Sequence, residues 1–434
     1  MSMISAVRNL FGGRRSDGYD ASEPMHLSVP FRRRRSEEDS ARPRFKMLAT
    51  DRSDDDGVGP QVREAFVPSQ PVSSRSMLAG RTGPLRDLIQ GVEDDRVHVV
   101  LYGERGIGKT SLLGVFAELA QDADYLVVRE NCGADTTFDE LFRSVSAKIP
   151  LIYAGALDAS EAQSRPSGTM ADLLPQSAVG PNQLSRLWSS IVGTRVLVIL
   201  DEFDRTENPE FHRDVVELLK NLSDTAARVQ LVIAGVAQTL SMLLGHSPSI
   251  RRNVAGLALS AMSDREIAEL IELGERHAAI SFEPAAKERI ISLARGRPYL
   301  TRLIAHHASL RAATSRRTIV DLSDVEYAIE RALMDMETRL SERTVNAVRA
   351  WLQQEPALVI KLATAGLHEG GTFNLNTVLG GSGQTNRVEA FVSDLSRSES
   401  LVVPVDEGSS RYAFVEEGLP AYLMLASGRL GFAA

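Results

Sequence analysis

The chain has a single cysteine, Cys132, among its 434 residues. One thiol excludes an internal disulfide framework and fits a reducing compartment. Because Cys132 follows an apolar strand candidate, we interpret it as a small packed residue rather than a nucleophile. No apolar run approaches the roughly 20 residues that a membrane-spanning helix needs, and no secretory pattern follows the first residues. These absences predict a cytoplasmic protein without a membrane span.

A net positive charge is also absent, since the formal charge is −8. This excludes a global basic field that would draw the protein to nucleic acid or to an anionic membrane, so any DNA contact has to be local. No internal repeat of the solenoid kind is present. The hydrophobic fraction of 43% and the charged fraction of 24% are ordinary for a globular protein. The length predicts two or three domains.

Residues 1–65 differ from the rest of the chain. Charge blocks such as Arg32–Arg35 and Asp54–Asp56 are separated by Gly, Ser and Pro, with little periodic apolar content. Such a segment buries too little surface to offset its ordering entropy, so it is predicted to be a disordered charged tail. The four-arginine run is a candidate contact for nucleic acid or acidic lipid. However, 11 basic and 10 acidic side chains in residues 1–60 favour a solvated, partly neutralised tail.

The most informative motif is the phosphate loop G-x-x-x-x-G-K-[ST], which lies between a strand candidate and a helix candidate. Its glycines allow backbone N–H groups to turn towards phosphate oxygens. Lys109 can reach the β- and γ-phosphates, and the Thr110 hydroxyl can ligate Mg²⁺. The helix that begins near Ser111 directs its positive dipole end at the anion. The sequence therefore predicts ATP and Mg²⁺ as ligands. The loop consists of Gly103, Glu104, Arg105, Gly106, Ile107, Gly108, Lys109 and Thr110.

The second motif is acidic: the apolar run Val196–Leu200 is followed by Asp201 and Glu202. Asp201 lies 92 residues after Lys109. Carboxylates at the carboxyl end of a strand lie where open α/β sheets bind ligands. Asp201 is predicted to hold Mg²⁺, directly or through water. Glu202 is predicted to orient and deprotonate the attacking water. The alternative is that each acid caps the helix after the strand.

The pattern of elements predicts an α/β fold with a parallel-sheet core, an α-helical lid and a C-terminal winged-helix domain. Strand and helix candidates alternate over residues 66–259. A capping box, Ser263–Glu266, opens a helical section over 260–340. Residues 341–434 combine helix candidates with a hairpin whose strands are Leu401–Val405 and Arg411–Val415. The strand candidates of the core are His98–Tyr102, Tyr125–Arg129, Val196–Leu200 and Val229–Ala234.

These motifs resemble the AAA+ and STAND branch of P-loop ATPases, close to prokaryotic relatives of the origin-recognition initiator ATPases. The resemblance covers residues 76–340 and continues more weakly through the winged-helix region. Besides the Walker A loop and the Walker B motif Ile199–Asp204, it rests on three further segments. These segments are Leu78–Arg81, His246–Asn253 and Gly296–Tyr299.

The resemblance implies roles for further residues. Gly80 and Arg81 would lie by the adenine, and Pro298 would shape the adenine-facing turn. Arg251 or Arg252 would act as an arginine finger at a neighbouring subunit's γ-phosphate; the alternative is a surface arginine pair.

Arg302 would sense the γ-phosphate from the lid, and here the alternative is a solvated charge on a helix. The family often carries a polar sensor residue after the fourth strand, but residues 233–237 lack it and Gln238 is displaced. This departure predicts slow, switch-like hydrolysis.

Two functions follow as hypotheses. The first is a nucleotide-dependent switch, with slow Mg²⁺-dependent ATP hydrolysis coupled to self-association or to binding of a protein partner. The alternative is an ATP-dependent DNA-binding protein of the origin-recognition or transposition-helper kind. Over residues 384–413, which include the candidate recognition helix Asn386–Arg397, three arginines face five acids. Because DNA affinity depends on neutralising phosphates, this balance favours a protein-contact module. The lid, the winged helix and the Asp201–Glu202 pair argue against a small-molecule kinase.

Overall fold

The computed structural model describes residues 62, 64–68, 71, 75–155, 168–245, 252–368, 371–379, 392–393, 395–396, 401–405, 410–416 and 418–429. The predicted charged tail lies outside these ranges except for residues 62, 64 and 65. Within these ranges, no helix is long and apolar enough to cross a membrane.

The first layer of the fold is a five-stranded parallel sheet with the order β2-β3-β4-β1-β5. The four predicted strands are confirmed, and β5 was not predicted. β3 is buried at every position and lies between β2 and β4, which explains its continuous apolar run. The strands are β1 (His98–Gly103), β2 (Leu126–Asn131), β3 (Val196–Asp201), β4 (Val229–Val236) and β5 (Val254–Ala258).

Helices cover both faces of this sheet, and a separate apolar cluster fills each face. A fully buried Trp188 and Phe142 contact each other edge to face in one cluster, and Phe116 is buried in the other. The helices are α1 (Thr82–Glu93), α2 (Lys109–Asp122), α3 (Phe138–Ala147), α4 (Pro181–Ser189), α5 (Pro209–Asp224) and α6 (Leu240–Leu244).

A helical section follows β5, as predicted. The capping box is confirmed: the Ser263 hydroxyl accepts from the Glu266 backbone N–H, and the Glu266 carboxylate accepts from the Ser263 N–H. Proline at the first turn begins two of the helices, where its missing N–H costs nothing. The elements are α7 (Asp264–Ala278), β6 (Ser281–Phe282), α8 (Pro284–Ala294), α9 (Pro298–Thr314), β7 (Ile319–Val320) and α10 (Leu322–Glu337).

The C-terminal section combines helices with a three-stranded antiparallel sheet of order β8-β10-β9. The predicted hairpin is confirmed as β9 and β10. The candidate recognition helix Asn386–Arg397 lies outside the described residues, apart from residues 392, 393, 395 and 396, which are helical. The winged helix therefore stays a prediction. The elements are α11 (Glu342–Gln354), α12 (Pro356–His368), β8 (Thr372–Asn374), α13 (Leu375–Leu379), β9 (Val402–Pro404), β10 (Arg411–Phe414) and α14 (Leu419–Arg429).

One apolar cluster joins the helical section to the C-terminal section and to the residues before the sheet. Val62, Ala65 and Phe66 are buried in it, against the helical section rather than against the sheet. Tyr422 of α14 donates a 2.7 Å hydrogen bond to Glu337 of α10. The predicted boundaries at residues 65/66, 259/260 and 340/341 stay predictions. The buried residues on either side of the first and the last of these boundaries share this core.

Candidate nucleotide-binding site

A cavity of about 300 Å³ lies between the phosphate loop, the carboxyl ends of β3 and β4, and the start of α9. Most of the predicted site residues line it. Arg252 is exposed and does not line it, and Arg251 lies outside the described residues. The predicted residues that line the cavity are Arg81, Arg105, Gly106, Gly108, Lys109, Thr110, Ser111, Asp201, Glu202, Pro298 and Arg302.

The phosphate loop has the backbone that its glycines were predicted to provide. Gly106 and Gly108 have φ angles of +73° and +101°, in the region that favours glycine. A Cβ on Gly103, whose φ is +156°, would lie 2.3 Å from the carbonyl oxygen of Leu259. The Ile107 side chain is fully buried and anchors the loop in the core. The glycines therefore provide the positive φ angles and the close backbone approach that a phosphate-binding turn needs.

Lys109 begins α2, two residues before the predicted start of that helix. Its ammonium group donates to the carbonyl oxygens of Gly103 and Glu104, at 2.8 and 2.7 Å. Burial lowers the pKa of Lys109 to about 8, and the charges of Asp204 and Asp201 oppose this shift. The ammonium thus spans the loop and can exchange these carbonyl contacts for phosphate oxygens.

Asp201 and Glu202 occupy different environments although they are neighbours. Asp201 is buried at the end of β3, and its Oδ1 accepts from the Glu202 N–H at 2.9 Å. Glu202 has a left-handed backbone, with φ +57°, and its carboxylate pairs with Arg205 at 3.2 Å. The bend after β3 places Asp201 inside the site and Glu202 at its rim. The short helical turn Phe203–Arg205 that follows has Glu202 at its N-cap position and no side-chain capping hydrogen bond, so the capping alternative is not supported.

The arrangement fits a magnesium ion held mainly by its nucleotide. Thr110 and Asp201 both line the cavity and supply a hydroxyl and a carboxylate. Among the residues that the structure describes, no group of three or more His, Cys, Asp or Glu could hold a metal ion. Mg²⁺ commonly takes one or two protein ligands together with phosphate oxygens and water. Two protein oxygens beside a phosphate loop match that pattern.

The residues assigned to the adenine side have mainly structural contacts. Arg81 is buried and donates from one nitrogen to the carbonyls of Ile107 and Ser260, both at 2.9 Å. Burial lowers its pKa. Arg81 therefore ties the phosphate loop to the segment that leads into α7. A Cβ on Gly80 would lie 2.6 Å from Glu266 Cβ, so Gly80 permits a close approach to the same helix.

Arg302 lies in the cavity wall rather than in bulk solvent. Burial lowers its pKa, and it donates to the carbonyl of Met77 at 3.5 Å. The alternative of a solvated helix charge is therefore not supported. Pro298 also lines the cavity, and its Cγ lies 4.0 Å from a Cβ built on Gly108. Both side chains bring α9 against the phosphate loop.

Asp204 is a candidate site residue to which sequence reasoning assigned no role. It lines the cavity, and its Oδ1 accepts from the Val236 N–H at 2.7 Å. Val236 ends β4, where the polar sensor residue is missing. The signal in the sequence was the third acid of the Asp201-Glu202-Phe203-Asp204 run. Asp204 thus brings a carboxylate to the end of β4 from the neighbouring chain segment.

Cys132 is 2% exposed, and burial raises its pKa to about 12. A thiol in this state is protonated at neutral pH and is a poor nucleophile. The interpretation as a packed residue is confirmed.

The comparison with protein families finds one match, which lies in the sheet domain. Residues 78–234 match the family model described as an AAA ATPase domain. The matched segment contains the phosphate loop, Asp201 and Glu202, the strands β1, β2 and β3, and most of β4. This part of the chain is therefore similar to AAA ATPase domains, and its parallel sheet with the phosphate loop has the P-loop ATPase fold. No curated protein matches the chain.

Several solved structures are similar to this chain. The Orc1 protein of Aeropyrum pernix in complex with DNA is 17% identical, with a TM-score of 0.44; the alignment covers 84% of this chain and 96% of that chain. A Walker-type ATPase of Pyrococcus abyssi is 18% identical, with a TM-score of 0.47 and coverages of 82% and 98%. RuvB of Thermotoga maritima is 15% identical, with a TM-score of 0.42 and coverages of 81% and 93%. At TM-scores below 0.5 these likenesses carry no inference about ligand or partner.

Proposed function

We propose that this protein is a nucleotide-dependent molecular switch that binds Mg²⁺–ATP between its sheet and its lid and hydrolyses it slowly. The observation that supports this proposal most strongly is that the predicted catalytic and phosphate-binding groups line one cavity. The glycine loop, Lys109 and the Asp201-Glu202 pair meet in one cavity, and the start of α9 closes this cavity from the lid side. The family match supports nucleotide binding. The rate and the switch role belong to the proposal.

Each residue has a chemical role in this proposal. The loop amides and Lys109 bind the phosphates, and Thr110 and Asp201 would hold Mg²⁺, which neutralises phosphate charge when bound. Glu202 accepts a proton from the attacking water. In this conformation the Glu202 carboxylate is paired with Arg205, and this contact competes with its use as a base. The pairing and the missing sensor residue are the reasons for proposing slow turnover.

Two variants test the proposal. Lys109→Ala is expected to abolish ATP binding measured by calorimetry, because it removes the cation that contacts the phosphates. Glu202→Gln is expected to retain ATP binding and to lose phosphate release in a steady-state assay. Arg213→Ala is a surface control, since this side chain is 74% exposed. Phosphate release by Glu202→Gln at the wild-type rate would remove Glu202 from its role.

We propose a protein partner or a second copy of this chain, rather than DNA, as the target of the switch. In and beside the described strands of the C-terminal sheet, three valines are exposed: Val403, Val405 and Val415 are 45%, 43% and 53% exposed. The basic phosphate contacts on which DNA affinity depends are not provided by these side chains. Binding of duplex DNA whose strength falls steeply with salt would favour the DNA-binding alternative instead. We place the activity in the cytoplasm, where the single thiol stays reduced.

A further inference from the structure

Arg302 is a cation of the cavity wall that has no role in the proposed hydrolysis. It lies on α9, lines the cavity and is partly buried. Its guanidinium donates one long hydrogen bond, of 3.5 Å, to the Met77 carbonyl. Among the residues that the structure describes, no acidic side chain forms an ion pair with it. A partly buried cation without a counter-charge is costly, and an anion that enters the cavity lowers this cost.

The wall of the cavity has a polar part and an apolar part. The polar part carries the phosphate-binding and acidic groups, among them Lys109 and Asp201. The apolar part suits a nucleotide base, since ligand cavities receive the flat, apolar portion of a ligand on such walls. It includes Pro68, Pro71, Met77, Leu78, Ala79 and Leu270. A bound nucleotide would therefore place its terminal phosphates at the polar part and its base at the apolar part.

Arg302 lies at the apolar part of this wall. Its contact is with Met77, which belongs to that part. The charges of Asp204 and Asp201 oppose the lowering of the Lys109 pKa, whereas burial is the cause that lowers the Arg302 pKa. The guanidinium therefore does not share the acidic surroundings of Lys109, where the γ-phosphate would be attacked by water.

The course of α9 agrees with this position. At the start of the helix, Pro298 Cγ lies 4.0 Å from a Cβ built on Gly108, and Tyr299 Cβ lies 3.7 Å from one built on Gly106. Arg302 follows Pro298 by one helical turn, which is about 6 Å along the axis. The first turn of α9 thus lies against the phosphate loop, and the next turn carries the guanidinium to the Met77 carbonyl.

We propose that Arg302 binds the α-phosphate of the nucleotide, rather than the γ-phosphate that the family resemblance implies. The α-phosphate is the anionic group nearest to the base, and ATP and ADP share it. The lid would therefore hold ATP and ADP alike, so that release of ADP, and not hydrolysis, frees the lid. This inference rests on the proposed function, because it presupposes that a nucleotide occupies the cavity.

Arg302→Met tests the proposal, because it keeps an unbranched side chain and removes the charge and the donors. Binding of ADP and of a slowly hydrolysed ATP analogue, each with Mg²⁺, is measured by calorimetry. Both affinities are expected to fall by the same factor, about tenfold or more, through loss of a charge-assisted hydrogen bond. Adenosine, measured by displacement of ADP, is expected to bind as it does to wild type. Without nucleotide the unfolding temperature is expected not to fall, since a cation without a counter-charge is removed.

Three results would overturn the proposal. Weaker binding of the ATP analogue alone would show a γ-phosphate contact, and an equal loss for adenosine would show a contact with the nucleoside. Unchanged affinity for both nucleotides would show that Arg302 does not touch the ligand. Arg311→Met is the matched control, because Arg311 lies on the same helix outside the cavity, and it is expected to leave both affinities unchanged. Absence of nucleotide binding by the wild-type protein would instead contradict the proposed function.

Discussion

At the carboxyl end of β4, where the chain lacks the polar sensor residue, the Asp204 carboxylate accepts a hydrogen bond from the Val236 N–H. A Cβ built on Gly235 would lie 3.1 Å from Asp204 Oδ1, so a larger residue before Val236 would crowd this contact. The charge of Asp204 also opposes the lowering of the Lys109 pKa by burial, and it does so more strongly than the charge of Asp201. Asp204 therefore has two effects on the site: it binds the backbone at the end of β4, and it favours the charged form of Lys109.

We expect Asp204→Asn to lower ATP turnover by about tenfold or more, because the amide keeps an acceptor for the Val236 N–H but removes the charge. Nucleotide affinity is expected to change by only a few fold, since the phosphate loop is intact. Turnover is measured by phosphate release, and nucleotide affinity is measured by calorimetry. Glu207→Gln removes a nearby exposed charge outside the cavity and serves as the control. Turnover at the wild-type rate in Asp204→Asn would show that Asp204 serves the fold alone.

Residues that act within one short motif were predictable, and residues that act across the fold were not. Lys109 and Asp201 follow from local patterns whose spacing defines their chemistry. The Arg81 contact to Ser260 and the Arg297 contact to Glu104 join positions 179 and 193 residues apart. They depend on how the lid packs on the sheet, and that packing has no local signal in the sequence.

Phe66, in the segment before the sheet, packs closely against Gly274 of α7. A Cβ built on Gly274 would lie 2.0 Å from Phe66 Cζ, and Phe66 is fully buried. Its ring also meets Phe282 edge to face, with centroids 5.9 Å apart. Gly274 lies inside a helix, where glycine is unfavourable by about 0.5–1 kcal/mol relative to alanine. Glycine is nevertheless required at this position, because a side chain there would overlap the Phe66 ring.

Gly274→Ala is therefore expected to lower the free energy of unfolding by about 1–3 kcal/mol through overpacking. Phe66→Ala is expected to lower it by about 3–5 kcal/mol by creating a cavity. In the Phe66→Ala background the sign is expected to reverse, so that Gly274→Ala stabilises by up to about 1 kcal/mol. Urea unfolding of the four proteins measures these differences.

Gly83 provides the matched control, because it also lies in a helix and a Cβ there would meet nothing within 4 Å. Gly83→Ala is expected to be neutral or slightly stabilising. Equal destabilisation by Gly274→Ala with and without the Phe66 ring would contradict the contact as its cause.

Elements with a continuous apolar run or a capping box were predictable, and elements without them were missed. β3 and α7 belong to the first group. β5 reads Val-Ala-Gly-Leu-Ala, and its small residues give a weak strand signal; its place beside β1 comes from pairing. α14 is buried along almost its whole length, so it lacks the alternation of apolar and polar faces that indicates a surface helix.

Side-chain contacts and a shared apolar core connect the lid to the C-terminal section. Arg289 of α8 donates to the Gly428 carbonyl of α14 at 2.7 Å, and Arg349 of α11 binds Glu337 of α10 at 3.0 Å. The shared apolar core adds to these contacts. The lid also contacts the sheet domain, through Arg297, Pro298 and Tyr299 at the phosphate loop and through Glu266 at Gly80. A lid movement at the nucleotide would therefore carry the C-terminal section with it.

A role of Arg252 as an arginine finger would require that the protein assembles. Arg252 is exposed and lies outside the cavity of its own chain, so a role at the γ-phosphate requires a neighbouring copy.

We expect the wild-type protein to gain mass in light scattering when a slowly hydrolysed ATP analogue is added with Mg²⁺. Arg252→Ala is expected to retain nucleotide binding but to lose turnover, by as much as about 10³-fold for an arginine finger. Arg213→Ala, another exposed arginine, is the control and is expected to assemble and to hydrolyse ATP as wild type does. Monomers at every nucleotide state, with full turnover by Arg252→Ala, would identify a switch that acts as a single chain.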